Sequence, residues 1–149
     1  MKIIVDTNIV FSALLNSNGR IGNLLLDSRE YFEFYSCKFL QKEMFHHLPK
    51  IQKYSNLNRD DLFELLYLVE SRIFFIDENL LPNKIITEAM HLVADIDSDD
   101  VAFVALNSHL NGLLWTGDKK LMNGLKQKDY KSVVTTLELS MILEELKKG

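Results

Sequence analysis

Cysteine is nearly absent from this chain of 149 residues, with Cys37 the only one. A lone thiol excludes an intramolecular disulfide and any Cys-rich zinc cluster. Proline (two) and glycine (six) are also scarce, and no Pro/Gly/Ser-rich linker, low-complexity stretch or repeat divides the chain. Residues 1–149 are therefore expected to form one domain. No apolar run approaches the ~18–20 residues that span a bilayer. Met1-Lys2 leads directly into a strand-like segment with no signal-peptide pattern, so a cytoplasmic protein without membrane contact is the expectation. A basic excess is missing too: net charge is −4. A nucleic-acid function would need local positive charge or bound cations that reverse the local sign. The remaining composition, 47% hydrophobic and 26% charged, is that of an ordinary globular chain.

Hydrophobic patterning predicts alternating strands and helices. Ile3-Ile4-Val5 is a β-branched run ending at Asp6, and Thr7 to Leu15 reads as a helix closed by the turn cluster Asn16 to Gly19. A second helical stripe follows at Ile21, Leu24 and Leu25, then a strand at Phe32 to Ser36. Lys38 to Leu48 carries apolar residues at helical spacing, with Pro49 expected to end that helix. Asn58 is placed to cap a helix from Arg59 to about Arg72, ahead of a strand at Ile73–Ile76. Pro82 suits the start of a helix running to about Val93, and Asp95–Asp100 opens another from Val101 to Leu110 that ends at Asn111-Gly112. Leu113–Thr116 forms a strand ending at Gly117-Asp118. A short helix, a strand at Ser132–Thr135 and a C-terminal helix follow, the last with Thr135 and Glu138 at capping-box spacing. Apolar strands alternating with helices imply an α/β fold whose mostly parallel sheet of about five strands is covered on both faces. Ligands in such folds bind beyond the carboxyl ends of the strands, where the strand order reverses.

Acidic residues gather at that edge. Asp6 follows the first strand, Asp118 the fourth, and Asp97, Asp99 and Asp100 crowd a helix start, while Glu43 lies mid-helix beside apolar residues. Taken singly, Asp6 and Asp118 could be helix caps, Asp97–Asp100 an acidic helix N-terminus, and Glu43 a solvated residue. Taken together, carboxylates brought within a few ångströms repel unless protonated or bridged by a cation. Oxygen ligands suit Mg²⁺ or Mn²⁺, and phosphodiester hydrolysis is the reaction class that follows.

Val5-Asp6-Thr7-Asn8-Ile9-Val10, Glu43, Asp97-Ser98-Asp99-Asp100 and Thr116-Gly117-Asp118 resemble the PIN-domain family in order and spacing, across essentially the whole chain. The closest resemblance is to compact bacterial and archaeal members described as toxins of toxin–antitoxin pairs. It implies a three-layer α/β/α sandwich and a divalent-metal-dependent endoribonuclease in which a metal-activated water attacks the phosphodiester. By residue-for-residue match, Asp6, Glu43, Asp100 and Asp118 would be catalytic carboxylates and metal ligands. Asp97 would be an additional acidic position, with Asn8 and Thr116 orienting carboxylates or water. Ser98 departs from the pattern, since similar sequences often carry Pro there, and this leaves the choice between Asp97 and Asp99 as the helper of Asp100 open. One or two ions are equally compatible with the spacing. The expected partners are an RNA substrate and, for a toxin, an antitoxin protein, with homodimer formation open.

Other features have weaker claims. His46 and His47 follow Glu43 by three and four residues, but no second helix offers a matching His for a zinc pair, so they read as surface or pocket-rim residues. His91, His109 and Cys37 lack any motif context and read as structural. Asp77 to Asp100 has a charge balance of −6, whereas Lys119 to Lys131 has +4, from five lysines and Asp129. Lys119 and Lys120, directly after Asp118, are candidates to hold the RNA backbone, with a solvated helix face as the alternative. A catalytically idle PIN-like RNA- or protein-interaction module is the rival reading. An aspartyl phosphatase is disfavoured by Asn8, where a second acid is usual, and a nucleotide-binding P-loop by the lack of any Gly-rich phosphate loop.

Overall fold

The computed structural model describes residues 1–149 in full. Five strands form one parallel sheet: β1 (Lys2–Val5), β2 (Glu33–Cys37), β3 (Ile73–Ile76), β4 (Leu113–Trp115) and β5 (Val133–Val134), in the order β3-β2-β1-β4-β5. The helices are α1 (Thr7–Leu15), α2 (Arg20–Asp27), α3 (Lys38–His46), α4 (Leu48–Ser55), α5 (Arg59–Ser71), α6 (Asn83–Val93), α7 (Val101–Leu110), α8 (Lys119–Gln127) and α9 (Thr136–Lys148). Helix α7 lies across β1, β2 and β4, with α6 packed on it and α8 packed on α6. In the other helical layer α1 packs with α2, α4 and α5, and α9 packs on α2. The expected three-layer α/β/α sandwich is the observed fold.

The central strands are fully enclosed. Ile3, Ile4, Val5, Leu114 and Trp115 show no exposed surface and belong to a contiguous core of 35 buried residues. A parallel sheet covered on both faces requires such unbroken apolar strands. No helix is long and apolar enough to cross a membrane.

The expected boundaries hold closely, with one correction. Pro49 does not end a helix. The chain breaks at His47, and Pro49 sits in the first turn of a separate helix, α4. Proline lacks the N–H that a first turn leaves unpaired, so it starts a helix as readily as it stops one. At the end of α7 the left-handed residue is Asn111 (φ 54°), while Gly112 is needed for a close approach: a Cβ there would lie 2.7 Å from the Lys2 carbonyl oxygen.

One buried bond fixes the end of β1. Ser36 Oγ on β2 donates to the Val5 carbonyl at 2.7 Å, immediately before Asp6. Ser36→Ala would leave that buried carbonyl without its hydroxyl donor. Chemical denaturation should show a loss of about 1–3 kcal/mol, with no loss counting against this anchor.

Candidate acidic site

Because β1 sits mid-sheet and its neighbours β2 and β4 diverge from it, the carboxyl ends of β1 and β4 flank a crevice. Asp6 is the first residue past β1 and caps α1, its Oδ1 accepting the Ile9 N–H at 3.0 Å. It is only 4% exposed. Asp118 follows β4 and caps α8, its Oδ1 accepting the Lys120 and Leu121 N–H groups at 3.0 and 3.2 Å. Asp97 caps the short 3-10 turn Ser98–Asp100 by accepting the Asp99 N–H at 2.9 Å. Three of the acids thus have the capping role that the simplest reading gives them. Asp100 does not: it stands at the N-cap position of α7, half-buried, and its side chain makes no capping bond.

All of these acids but Asp118 share one basin. Asp6, Thr7, Asn8, Phe11, Glu43, Asp97, Asp99, Asp100 and Phe103 line a cavity of about 190 Å³. Glu43 reaches it from α3, whose Phe39 packs on Phe103 of α7 with ring centroids 5.1 Å apart. Asp118 and Thr116 line an adjoining depression with Arg20, Lys119 and Thr136. Asp97 and Asp99 both face the basin, so the structure does not choose between them. Thr7, Phe11 and Phe103 were not singled out in the sequence. The signal for Phe11 was its spacing, since it lies four residues after Thr7 and so shares that face of α1.

The electrostatics follow from this crowding. Burial pushes the Asp100 carboxyl up to about 7, and the neighbouring charges of Asp97, Asp6, Asp118 and Asp99 add to the shift. Asp6 is also raised, first by burial and then by the charge of Asp118, while bonding to Thr116 and the Ile9 N–H opposes the rise. Thr116 Oγ1 accepts the Asp118 N–H at 3.1 Å, fixing the turn that follows β4. No three His, Cys, Asp or Glu side chains already close on a single ion position. The basin is therefore an open set of carboxylate donors rather than a closed ligand cage. As an all-oxygen donor set, it fits a hard divalent cation better than a soft one.

The remaining sequence candidates separate. His46 is exposed, and His47 is half-buried edge-on to Phe11 at 5.5 Å, as expected for a pocket-rim residue. His91 and His109 are exposed in the last turns of α6 and α7 and line no part of the basin. Cys37 is buried, and its thiol is pushed up to about 12 by burial, then by the Glu78 charge, which makes it inert. Within the lysine-rich segment, Lys128 pairs with Asp95 and Lys131 with Asp129. Lys119 and Lys120 are exposed and outside any ion pair.

The raised carboxyls give a signed pH dependence. Asp100 keeps its proton to about pH 7 when folded but only to about 3.8 when unfolded, so between these values the native state binds more protons. Stability therefore falls as pH rises through that window. Asp100→Asn should flatten this slope and melt above the wild type at neutral pH in EDTA. If the basin binds Mn²⁺, the wild type should gain ~2.7 kcal/mol at about a hundredfold its dissociation constant, and Asp100→Asn should gain less. Thermal melts in EDTA and in Mn²⁺ check this. A lower metal-free melting point with an undiminished Mn²⁺ shift would leave Asp100 a helix-dipole residue only.

Comparison with known proteins identifies relatives of the same fold. The uncharacterized protein MJ1680 of Methanocaldococcus jannaschii is 30% identical over 126 residues, covering 83% of this chain and 74% of its own length. The structure of VapBC2 from Rickettsia felis, bound to a DNA fragment from their promoter, superposes with a TM-score of 0.64 at 16% identity, covering 91% of this chain and 97% of that one. PAE2754 from Pyrobaculum aerophilum superposes with a TM-score of 0.63 at 17% identity, covering 97% and 96%. The sequence profile of the PIN domain matches residues 4–139, a span that includes every acid of the basin, and the chain belongs to the PIN-domain family.

Proposed function

We propose that this PIN-domain protein is a divalent-metal-dependent endoribonuclease and the toxin of a toxin–antitoxin pair. The observation that carries the nuclease reading is Asp100, a half-buried carboxyl that caps nothing and faces four other acids in one basin. Fold alone would not support it, because one fold hosts many activities. Asp6, Asp100 and Asp118 would hold Mg²⁺ or Mn²⁺, with Glu43 and Asp97 binding directly or through water. The cation would supply positive charge for the scissile phosphate and make water a better nucleophile at neutral pH.

The protein's own groups set up that chemistry. Caps on α1 and α8 fix one oxygen each of Asp6 and Asp118, which limits how far these carboxylates can turn away from one another. The Thr116 hydroxyl, which accepts the Asp118 N–H, keeps its own proton for Asp6. Asn8 stands at the basin wall as an uncharged donor and acceptor beside the acids. Lys119 and Lys120 offer exposed positive charge immediately after Asp118, where an RNA backbone leaving the basin can be held. The toxin assignment draws on the likeness to the VapBC2 structure, and an antitoxin partner belongs to the same proposal.

The purified protein should cleave single-stranded RNA in Mg²⁺ or Mn²⁺, and EDTA should stop it. Asp6→Asn and Asp118→Asn should each abolish cleavage, since a neutral amide is a poor ligand for a hard cation. Full activity in both variants would reject the metal-nuclease reading. The rival idle module, favoured by the lack of three convergent ligands, predicts RNA binding without cleavage in any metal.

Replacing Lys119 and Lys120 together by Ala should weaken RNA binding and flatten its salt dependence, by about 0.7 for each phosphate of a single strand that is no longer neutralised. An unchanged slope would return both lysines to the solvated helix face.

A further inference from the structure

Beside the acidic basin lies a second cavity of different chemistry. Phe11, Leu15, His47, Lys50, Ile51 and Tyr54 line about 170 Å³ between α1 and α4. Phe11 lines both cavities, so the two adjoin at its ring. Three of its six lining residues carry flat rings. The Phe11 and His47 rings meet edge-to-face, with an interplanar angle of 80°. Tyr54 is 60% exposed yet held in place, with Lys53 Nζ 5.5 Å from its ring centroid.

The charge around this cavity opposes that of the basin. Between Lys38 and Ser55 the chain has Lys38, Lys42, Lys50 and Lys53 against the single acid Glu43. None of these four lysines is in an ion pair, and all four are exposed. In a protein of net negative charge this is a local cationic surface. An apolar pocket walled by rings, rimmed by lysines and open to a carboxylate basin has the parts of a single-stranded nucleic-acid subsite. There, bases stack on aromatic faces while cations follow the backbone.

We infer that the Phe11–His47–Tyr54 pocket binds one nucleobase of single-stranded RNA next to the phosphate held in the acidic basin, with Lys50 and Lys53 on the adjoining backbone. The inference rests on the ribonuclease reading and adds to it a second anchor that positions the strand. Stacking is sequence-tolerant because every base has a π-face, so the pocket selects an unpaired base over a base-paired one rather than one base over another. A duplex cannot swing a base into it without unpairing.

The test is fluorescence anisotropy with a short labelled single-stranded RNA and an equally long abasic ribose-phosphate oligomer, in Mg²⁺, on an Asp6→Asn background that keeps the RNA intact. Tyr54→Leu, at an exposed position, should weaken RNA binding about 5- to 150-fold, as expected for one stacked base. It should leave abasic binding and the salt slope unchanged. Phe11→Leu should behave alike, and thermal melts confirm that both variants are folded. Lys50→Ala with Lys53→Ala should instead weaken both oligomers and flatten the salt slope. RNA affinity equal to the parent in both ring variants would overturn the inference and leave the pocket to an apolar side chain of a protein partner. Absence of both RNA cleavage and RNA binding by the wild-type protein in Mg²⁺ would overturn the ribonuclease reading, and this inference with it.

Discussion

The burial of the Asp6 carboxylate at the open end of the central strand is the constraint on which the acidic edge depends. A group 4% exposed can stay ionised only with hydrogen bonds or a cation to compensate for lost water. The protein supplies part of that compensation through the Ile9 N–H and Thr116. Elsewhere, Ser36 anchors the carbonyl before Asp6, and β4 beside β1 brings Thr116 and Asp118 to the same edge. The enclosed β-branched strand is what makes this arrangement rigid, because no neighbour can shift without opening the core.

Capping and ligation are usually rival explanations for an acid at a helix start, yet a carboxylate that caps with one oxygen keeps the other free for a cation. Asp6, Asp97 and Asp118 each engage an oxygen in a cap. The caps hold mutually repelling carboxylates close together at a cost that the helix starts partly offset. Asp100 has no such cap, and burial, with the charges of the neighbouring acids added to it, pushes its carboxyl up to about 7. Burial, with repulsion among these acids, favours keeping a proton on Asp100.

Most of the fold was legible in the sequence because its signals are local. Apolar strands stop at Asp6 and near Asp118, Asn58 caps α5 as its spacing predicted, and Thr135 and Glu138 form the expected capping box. The acids of the basin were legible through their order along the chain and the strand ends they follow. Pro49 was misread because a proline marks a helix start and a helix stop with the same residue. The aromatic pocket was not legible at all. Phe11 lies on α1, far along the chain from His47 at the N-cap of α4 and Tyr54 within it, and each has an ordinary explanation where it stands: α1 packing, pocket rim, solvent-facing ring. The lysine-rich segment showed the opposite failure, since two of its five cations are paired with Asp95 and Asp129, carboxylates of which only Asp129 lies within the segment.

If the acidic edge is a cation site held partly protonated by its own repulsion, a divalent ion entering it must displace a proton. Titration calorimetry of Mn²⁺ near pH 6.5, repeated in buffers of different ionisation enthalpy, counts that proton. The prediction is binding with a fraction of a proton released by the wild type, and a release that disappears in Asp100→Asn. Mn²⁺ binding with no buffer dependence, or no binding to the wild type, would contradict it.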